Sequence, residues 1–119
     1  MTPQQKAENV ARLARVVMGW EYVEHWEQAE SLGRVRKSPA HVMVRWDPYT
    51  SIADAMEMLE KLAKTYCTSM DSVGYAPNNW RCMIGWGDDP ISVWGEGSTP
   101  QEAICASCLE WALEQGESR

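Results

Sequence analysis

The sequence predicts one α+β domain, in which a small antiparallel or mixed β-sheet packs against three main helices. Three segments carry a hydroxyl cap followed by apolar residues at three- and four-residue spacing, and most segments between them alternate apolar with polar residues. A chain of 119 residues suits a single domain over residues 1–119, because two halves would each bury too small a core.

The first helix is predicted to begin after Thr2, which caps it. Pro3 follows at the first helical position and Gln5 stands three residues after the cap, so both features of a helix start are present. The apolar stripe that should face the core consists of Ala7, Val10, Ala14, Val17 and Met18.

The second helix is predicted within "WDPYTSIADAMEML", residues 46–59, a stretch that could also form a ligand-binding turn. Ser51 stands at the cap position and Asp54 three residues later, where its charge suits the positive end of the helix dipole. We therefore interpret the stretch as a helix start. Its predicted buried stripe is Ile52, Ala55, Met56, Leu59, Leu62 and Ala63.

The third helix, about residues 100–115, follows the cap Thr99 and is apolar on nearly all sides. Such a helix is typical of an element pressed between layers or into an oligomer interface. We expect it to be central and, because a monomer would otherwise expose it, we expect the protein to form a homo-oligomer. The apolar positions are Ala103, Ile104, Cys108, Leu109, Trp111 and Ala112.

Period-two alternation predicts strands at residues 41–46 and 80–86, and less strongly at 66–73. The turn residues of 87–90 predict a hairpin that returns through residues 91–97, and "GEGSTP" is interpreted as turn and cap chemistry. Residues 22–40 match no pattern and are expected to form a loop.

The net charge of −6 is unevenly distributed along the chain. Residues 1–45 carry seven Lys and Arg against five Asp and Glu, whereas the remainder carries four against twelve. An acidic domain is a poor general binder of nucleic-acid backbones, so no double-stranded nucleic acid is expected as a partner. The basic residues cluster at Arg34, Arg36 and Lys37, with Arg45 nearby.

No apolar run is long enough to span a bilayer and no secretory signal pattern begins the chain, so an intracellular protein without membrane contact is expected. The four cysteines should then be free, buried thiols. Cys105 and Cys108 form a CxxC pair inside the third helix, and a zinc site would require Cys67 and Cys82 to converge on it. Packing is the favoured interpretation, with no metal and no cofactor.

The chemistry-bearing residues do not form a recognisable catalytic set. His25 and His41 belong to no metal or nucleophile motif, and Asp88 and Asp89 have a structural explanation in the predicted turn. No phosphate loop of the G-x-x-x-x-G-K form is present. We therefore assign no catalytic residues and expect a protein that is not an enzyme.

Three blocks of the chain resemble the phage ABA sandwich domain family: "VARLARVVMGW", "WDPYTSIADAMEMLEKL" and "EGSTPQEAICASCLEWAL". The resemblance implies a helix layer on either side of a sheet, a bacteriophage origin, and a place in the cytoplasm of the infected bacterial host. It carries no established catalytic residues. The end of the chain is also similar to a double-stranded-RNA-binding domain, but residues 99–102 lack the lysines with which that family holds phosphates.

Tryptophans beside cations provide the remaining functional signal. The chain has seven tryptophans and no phenylalanine. An aromatic face can stack on a nucleobase while arginine holds phosphate, so Trp20, Trp26, Arg36 and Arg45 are the predicted ligand-binding residues. The first hypothesis is a non-enzymatic phage accessory protein that sequesters a small anionic host ligand, such as a nucleotide immune signal. The second is a protein–protein interaction module.

Overall fold

A computed structural model describes residues 2–27, 30–36, 44–72, 80–85 and 92–115. The α+β class and the three main helices are confirmed. The helices are α1 (Pro3–Arg12, continued by a π-helical segment, Leu13–Val17), α2 (Ile52–Ala63) and α3 (Pro100–Glu114). The strands are β1 (Glu21–Glu27), β2 (Glu30–Arg36), β3 (Val44–Arg45), β4 (Cys67–Ser72), β5 (Trp80–Gly85) and β6 (Ser92–Gly97).

The strands form two antiparallel sheets, ordered β1-β2-β3 and β4-β5-β6, where the sequence predicted one. α1 packs on the first sheet, α3 packs on β5 and β6, and α2 contacts β4. The helices also contact one another, so they form a layer that joins the two sheets. Among the described residues, this arrangement differs from the expected one, in which helices cover both faces of a single sheet.

All three predicted helix caps are present. The hydroxyls of Thr2, Ser51 and Thr99 each accept a hydrogen bond from the backbone N–H three residues later. In α1 the cap is reciprocal, because the Gln5 side chain also accepts from the Thr2 N–H at 2.9 Å. These bonds satisfy backbone donors that the helices cannot satisfy internally.

The end of the π-helical segment is fixed by one glycine and one lysine. Gly19 has a φ of +71°, a conformation that strains residues with a side chain. This allows the Trp20 N–H to donate to the Ala14 carbonyl at 2.8 Å. The Lys61 ammonium of α2 donates to the Met18 carbonyl, also at 2.8 Å, which ties the helix end to α2.

α3 is buried on nearly all sides within one chain, as the sequence indicated. It packs against the second sheet, α2, α1 and the π-helical segment. Self-association was expected because a monomer would expose this helix, but α3 is covered within one chain. Self-association itself stays a prediction. The buried residues of α3 are Ala103, Ile104, Cys105, Ser107, Cys108, Trp111 and Ala112.

The expected loop over residues 22–40 is wrong where the structure describes it, because β1 and β2 form an antiparallel hairpin there. The period of two is interrupted in β1, because glutamates occupy both alternating sets of positions, at Glu21 and Glu24. Residues 28–29, between the strands, are Gln and Ala and lack the Gly or Asn that favours a tight turn. Residues 37–43 lie outside the described parts, as does the predicted turn of 87–90.

The buried stripe of α2 is rotated from the predicted one. Ile52 and Met56 are exposed, at 46% and 36%, whereas Met58 is fully buried. The buried set Ala55, Met58, Leu59 and Leu62 still has helical spacing. Because Ile52 stands in the first turn, at the edge of the packed layer, its apolar character did not indicate the buried face.

Replacing the α2 cap tests whether Ser51 has a structural role. Ser51→Ala should lower the free energy of unfolding by about 1 kcal/mol, because the Asp54 N–H loses its acceptor. Thr65→Ala, which removes an exposed hydroxyl after the same helix, should change stability by less than about 0.5 kcal/mol. Thermal melts and urea titrations would measure both. A Ser51→Ala protein of unchanged stability that fails to bind a ligand held by the native chain would contradict the interpretation as a cap.

Candidate functional site

The outer face of the first sheet brings three arginines together. In the β2–β3 register Arg34 stands directly opposite Arg45, and Arg36 lies two residues along β2. Side chains alternate across a strand, and Val35 between the two β2 arginines is fully buried. Arg34, Arg36 and Arg45 are all exposed, so they share the solvent side, and we call this set the arginine face.

The arginine face places two positive charges opposite each other at Arg34 and Arg45. Directly opposite strand positions have Cβ atoms about 5 Å apart, and like charges there are destabilising. Arg34 and Arg45 occupy such positions. Glu21 is opposite Arg36, with 3.7 Å between the Arg36 Nε and a carboxylate oxygen, but both side chains are exposed and such a pair contributes little. An anion bound between Arg34 and Arg45 would relieve their repulsion.

Trp20 lies on the other side of the first sheet. Its ring meets Trp46 edge-to-face, with centroids 5.3 Å apart and planes at 78°. Trp46 is 2% exposed, and Trp20 packs partly buried against the core cluster that contains it. The structure therefore brings together Arg36 and Arg45 of the four predicted site residues but does not place Trp20 with them. Its packing follows from the helix end at Gly19, after which the chain brings Trp20 against Trp46.

Trp26, the fourth predicted site residue, lies in β1 opposite Ser31. Its side chain is outside the described parts of the chain, so its predicted role stays a prediction. Arg34 lies on the arginine face but was not among the ligand-binding residues predicted from the sequence. The sequence placed it in the basic cluster, but only the pairing of β2 with β3 shows that it faces Arg45.

The stretch that opens α2 forms a hydrogen-bonded turn centred on Asp47. One Asp47 carboxylate oxygen accepts from the Tyr49 N–H at 3.1 Å, and the other accepts from the Thr50 hydroxyl at 2.9 Å and the Lys6 ammonium at 2.8 Å. The Asp47 N–H donates to Asp54 at 2.9 Å. Both carboxylate oxygens are therefore engaged within the protein, which favours a structural role for the turn.

Tyr49 extends this turn into a polar contact with α1. The Asn9 amide donates to its hydroxyl at 3.1 Å. Burial, helped by the neighbouring Cys105, raises the pKa of Tyr49 to about 12. The rise reflects the burial of the phenol, which suits a packing role.

The thiols of the CxxC pair are both buried inside α3. Burial raises the pKa of Cys105 and Cys108 well above the ordinary range, and it raises the pKa of Cys82 to about 11. Thiolate is the form that attacks electrophiles and binds metals. Protonated, buried thiols support the interpretation as packing residues, while Cys67 is exposed.

The comparisons with known proteins agree with an α+β fold of this kind. Residues 11–109 match the phage ABA sandwich domain family. The fold is similar to that of a phage protein from Bacillus cereus ATCC 14579, solved as a crystal structure. That similarity has a TM-score of 0.62 at 16% identity and covers 96% of this chain and 89% of the other. A search of curated proteins finds no match.

The chain belongs to the phage ABA sandwich domain family. This confirms the family that the three sequence blocks suggested and the bacteriophage origin that it implied. Among the described residues, no helix is long and apolar enough to cross a membrane.

The Asp47 turn should make stability sensitive to acid. Burial alone raises the pKa of Asp47, but the hydrogen bond and charge of Lys6, with bonds from Thr50 and Tyr49, bring the net pKa below its usual value. A lowered folded pKa adds stability above the unfolded pKa of about 4, and that stability is lost as pH falls through the folded pKa.

Asp47→Asn should therefore lower the free energy of unfolding by about 1–3 kcal/mol at pH 7 and by progressively less towards pH 3. Urea titrations across this range would measure the difference. Glu60→Gln, an exposed change on α2, serves as the control and should shift stability little at any pH. A stability difference between the native protein and the Asp47→Asn variant that stays constant down to pH 3 would contradict the assigned role of the carboxylate.

Proposed function

We propose that this phage protein binds and holds a small anionic host ligand on the arginine face, without acting on it chemically. The observation that supports this most directly is the Arg34–Arg45 pair, in which two like charges occupy opposite strand positions. Such a pair costs stability in the free protein. A phosphate-bearing ligand would neutralise the repulsion between the two arginines. Each guanidinium can also donate two parallel hydrogen bonds to an anion.

The charge distribution favours a small ligand over a long polyanion. Residues 46–119 carry four Lys and Arg against twelve Asp and Glu, so a nucleic-acid duplex extending from the arginine face would be repelled by much of the molecule. A nucleotide is small enough to contact the three arginines alone. A nucleotide signal of antiphage defence is the proposed ligand, and its sequestration in the host cytoplasm is the proposed role.

Stacking of the base requires an aromatic side chain, and the predicted candidates differ in their support. Trp20 is engaged with Trp46 on the core side of the sheet. Trp26 stands in β1 of the same sheet, but its register position falls on the side of Tyr22, the partner of the buried Val35, and not on the side of the arginines. We therefore assign a packing role to Trp20, and stacking by Trp26 stays a prediction.

A non-enzymatic role is part of the proposal. The Asp47 carboxylate is engaged by Lys6, Tyr49 and Thr50. The thiols of Cys105 and Cys108 are held protonated by burial. Since the groups best suited to chemistry serve the fold, holding a ligand accounts better for the exposed arginines than catalysis does.

A metabolite-retention experiment would test the arginine face. The native protein is incubated with a small-molecule extract of host cells, separated from unbound material and denatured, and the released compounds are identified by mass spectrometry. We expect a phosphorylated compound from the native chain. Arg34→Ala and Arg45→Ala should each weaken its binding about tenfold or more, since a charged hydrogen bond contributes about 1.5–3 kcal/mol.

The control is Lys64→Ala, which removes an equal charge from an exposed position after α2 and should retain the compound. Thermal melts verify that every variant is folded. The proposal fails if the folded native protein releases no anionic compound, or if the arginine variants retain it as well as the control.

A further inference from the structure

The outer face of the second sheet exposes an unusual apolar surface. Cys82, Ile84 and Val93 point inward and are buried, so the alternating positions of β5 and β6 face outward. Trp94, one of these, is 49% exposed. We call Trp94 and the outward side chains around it the tryptophan face. Its members are Asp71, Arg81, Met83, Trp94 and Glu96.

Trp94 and Met83 form the apolar centre of the tryptophan face. They are direct cross-strand partners in the β5–β6 register. The next outward position of β5 is Gly85, and an added Cβ there would lie 3.3 Å from the Met83 sulfur, so the Met83 side chain leans towards it. An exposed ring and a half-buried thioether are thus neighbours on the outward side of this sheet. Tryptophan and methionine are both enriched at the centres of protein interfaces.

Arg81 is held against this centre by two contacts. Its guanidinium carbon lies 5.4 Å from the centroid of the Trp94 ring, and its Nε is 3.6 Å from a Glu96 carboxylate oxygen. The exposed ion pair contributes little, whereas the contact with the ring keeps the guanidinium beside the apolar centre. Tryptophan and arginine are also the residues that most often dominate binding energy at interfaces.

The charge around the tryptophan face identifies the kind of partner it suits. Asp71 and Glu96 stand opposite Arg81 on its two neighbouring strands, so a carboxylate lies on each side of Arg81 in the row next to Met83 and Trp94. The chain from residue 46 onward is also strongly acidic. Complementary charge steers association and fixes orientation. A partner with positive charges at one end of an apolar stripe fits this pattern.

We propose that the tryptophan face docks a basic segment of a partner protein. Aliphatic side chains of the segment pack on Trp94 and Met83, while its lysines or arginines pair with Asp71 and Glu96. This surface belongs to the β4-β5-β6 sheet, whereas the arginine face belongs to the β1-β2-β3 sheet. The proposal therefore stands independently of the ligand proposed above.

Designed peptides provide the test. A strand-forming peptide of alternating lysine and valine is titrated into the full chain by calorimetry, and its counterpart of alternating glutamate and valine is titrated in parallel. We expect the lysine peptide to bind the native protein more tightly than the glutamate peptide. Trp94→Ala should weaken lysine-peptide binding at least tenfold, and Glu96→Lys should do the same because it replaces an attractive charge with a repulsive one.

Two matched variants separate this surface from general effects. Ile52→Ala shortens an equally exposed apolar side chain on α2, and Glu110→Lys makes the same charge change on the exposed side of α3. Both should keep lysine-peptide affinity within about twofold of the native value, as expected for changes outside the interface. Circular dichroism verifies folding, and if Trp94→Ala does not fold, Glu96→Lys alone decides.

Three results would overturn the proposal. One is failure of the folded native chain to bind the lysine peptide, or equal binding of the glutamate peptide. Another is equal loss in the matched variants, which would assign binding to overall charge. The third is a dimer seen by light scattering that Trp94→Ala or Glu96→Lys dissociates, because the face would then be covered by a second copy of the chain.

Discussion

The close packing of α3 on β6 is the contact on which the rest of the fold depends. A Cβ on Gly95 would lie 2.6 Å from the Ala103 carbonyl oxygen, and one on Gly97 would lie 2.8 Å from the Ala103 N–H nitrogen. Real Cβ atoms do not approach backbone so closely, so only glycine permits the helix to rest directly on the strand. Because α3 also packs against α1, α2 and the π-helical segment, its depth on β6 sets the spacing between the helical layer and the second sheet.

This arrangement turns one face of each sheet outward. Val35 of the first sheet and Ile84 of the second are fully buried, which leaves Arg34 and Arg36 exposed on one sheet and Trp94 on the other. The chemistry of the two faces differs, since one is cationic and the other has an apolar centre with two carboxylates beside it. A family domain with two distinct faces can serve two binding roles, whereas its engaged carboxylates and buried thiols serve the fold.

The parts of the fold that could be predicted from the sequence are those with local causes. Thr2, Ser51 and Thr99 indicated the helix starts because a cap hydroxyl bonds within its own turn. The period of two located β5 and β6, but "GEGSTP" was only partly understood: Thr99 caps α3, whereas Gly95 and Gly97 lie in β6 and admit the helix. The division into two sheets and the Arg34–Arg45 pairing depend on contacts distant in sequence. Composition could therefore place both arginines in a basic cluster but could not place them opposite one another.

Chemical denaturation of Gly95→Ala, compared with Gly19→Ala, tests the central claim most directly. At Gly19 a Cβ would meet nothing within 4 Å, so alanine there should cost about 1 kcal/mol through its positive φ alone. At Gly95 the added methyl meets backbone on α3 that cannot turn aside, so the cost should reach about 3 kcal/mol or more. If Gly95→Ala cost no more than Gly19→Ala, the helix could move off the strand without loss, and the packing of α3 on β6 would not be the constraint that determines this fold.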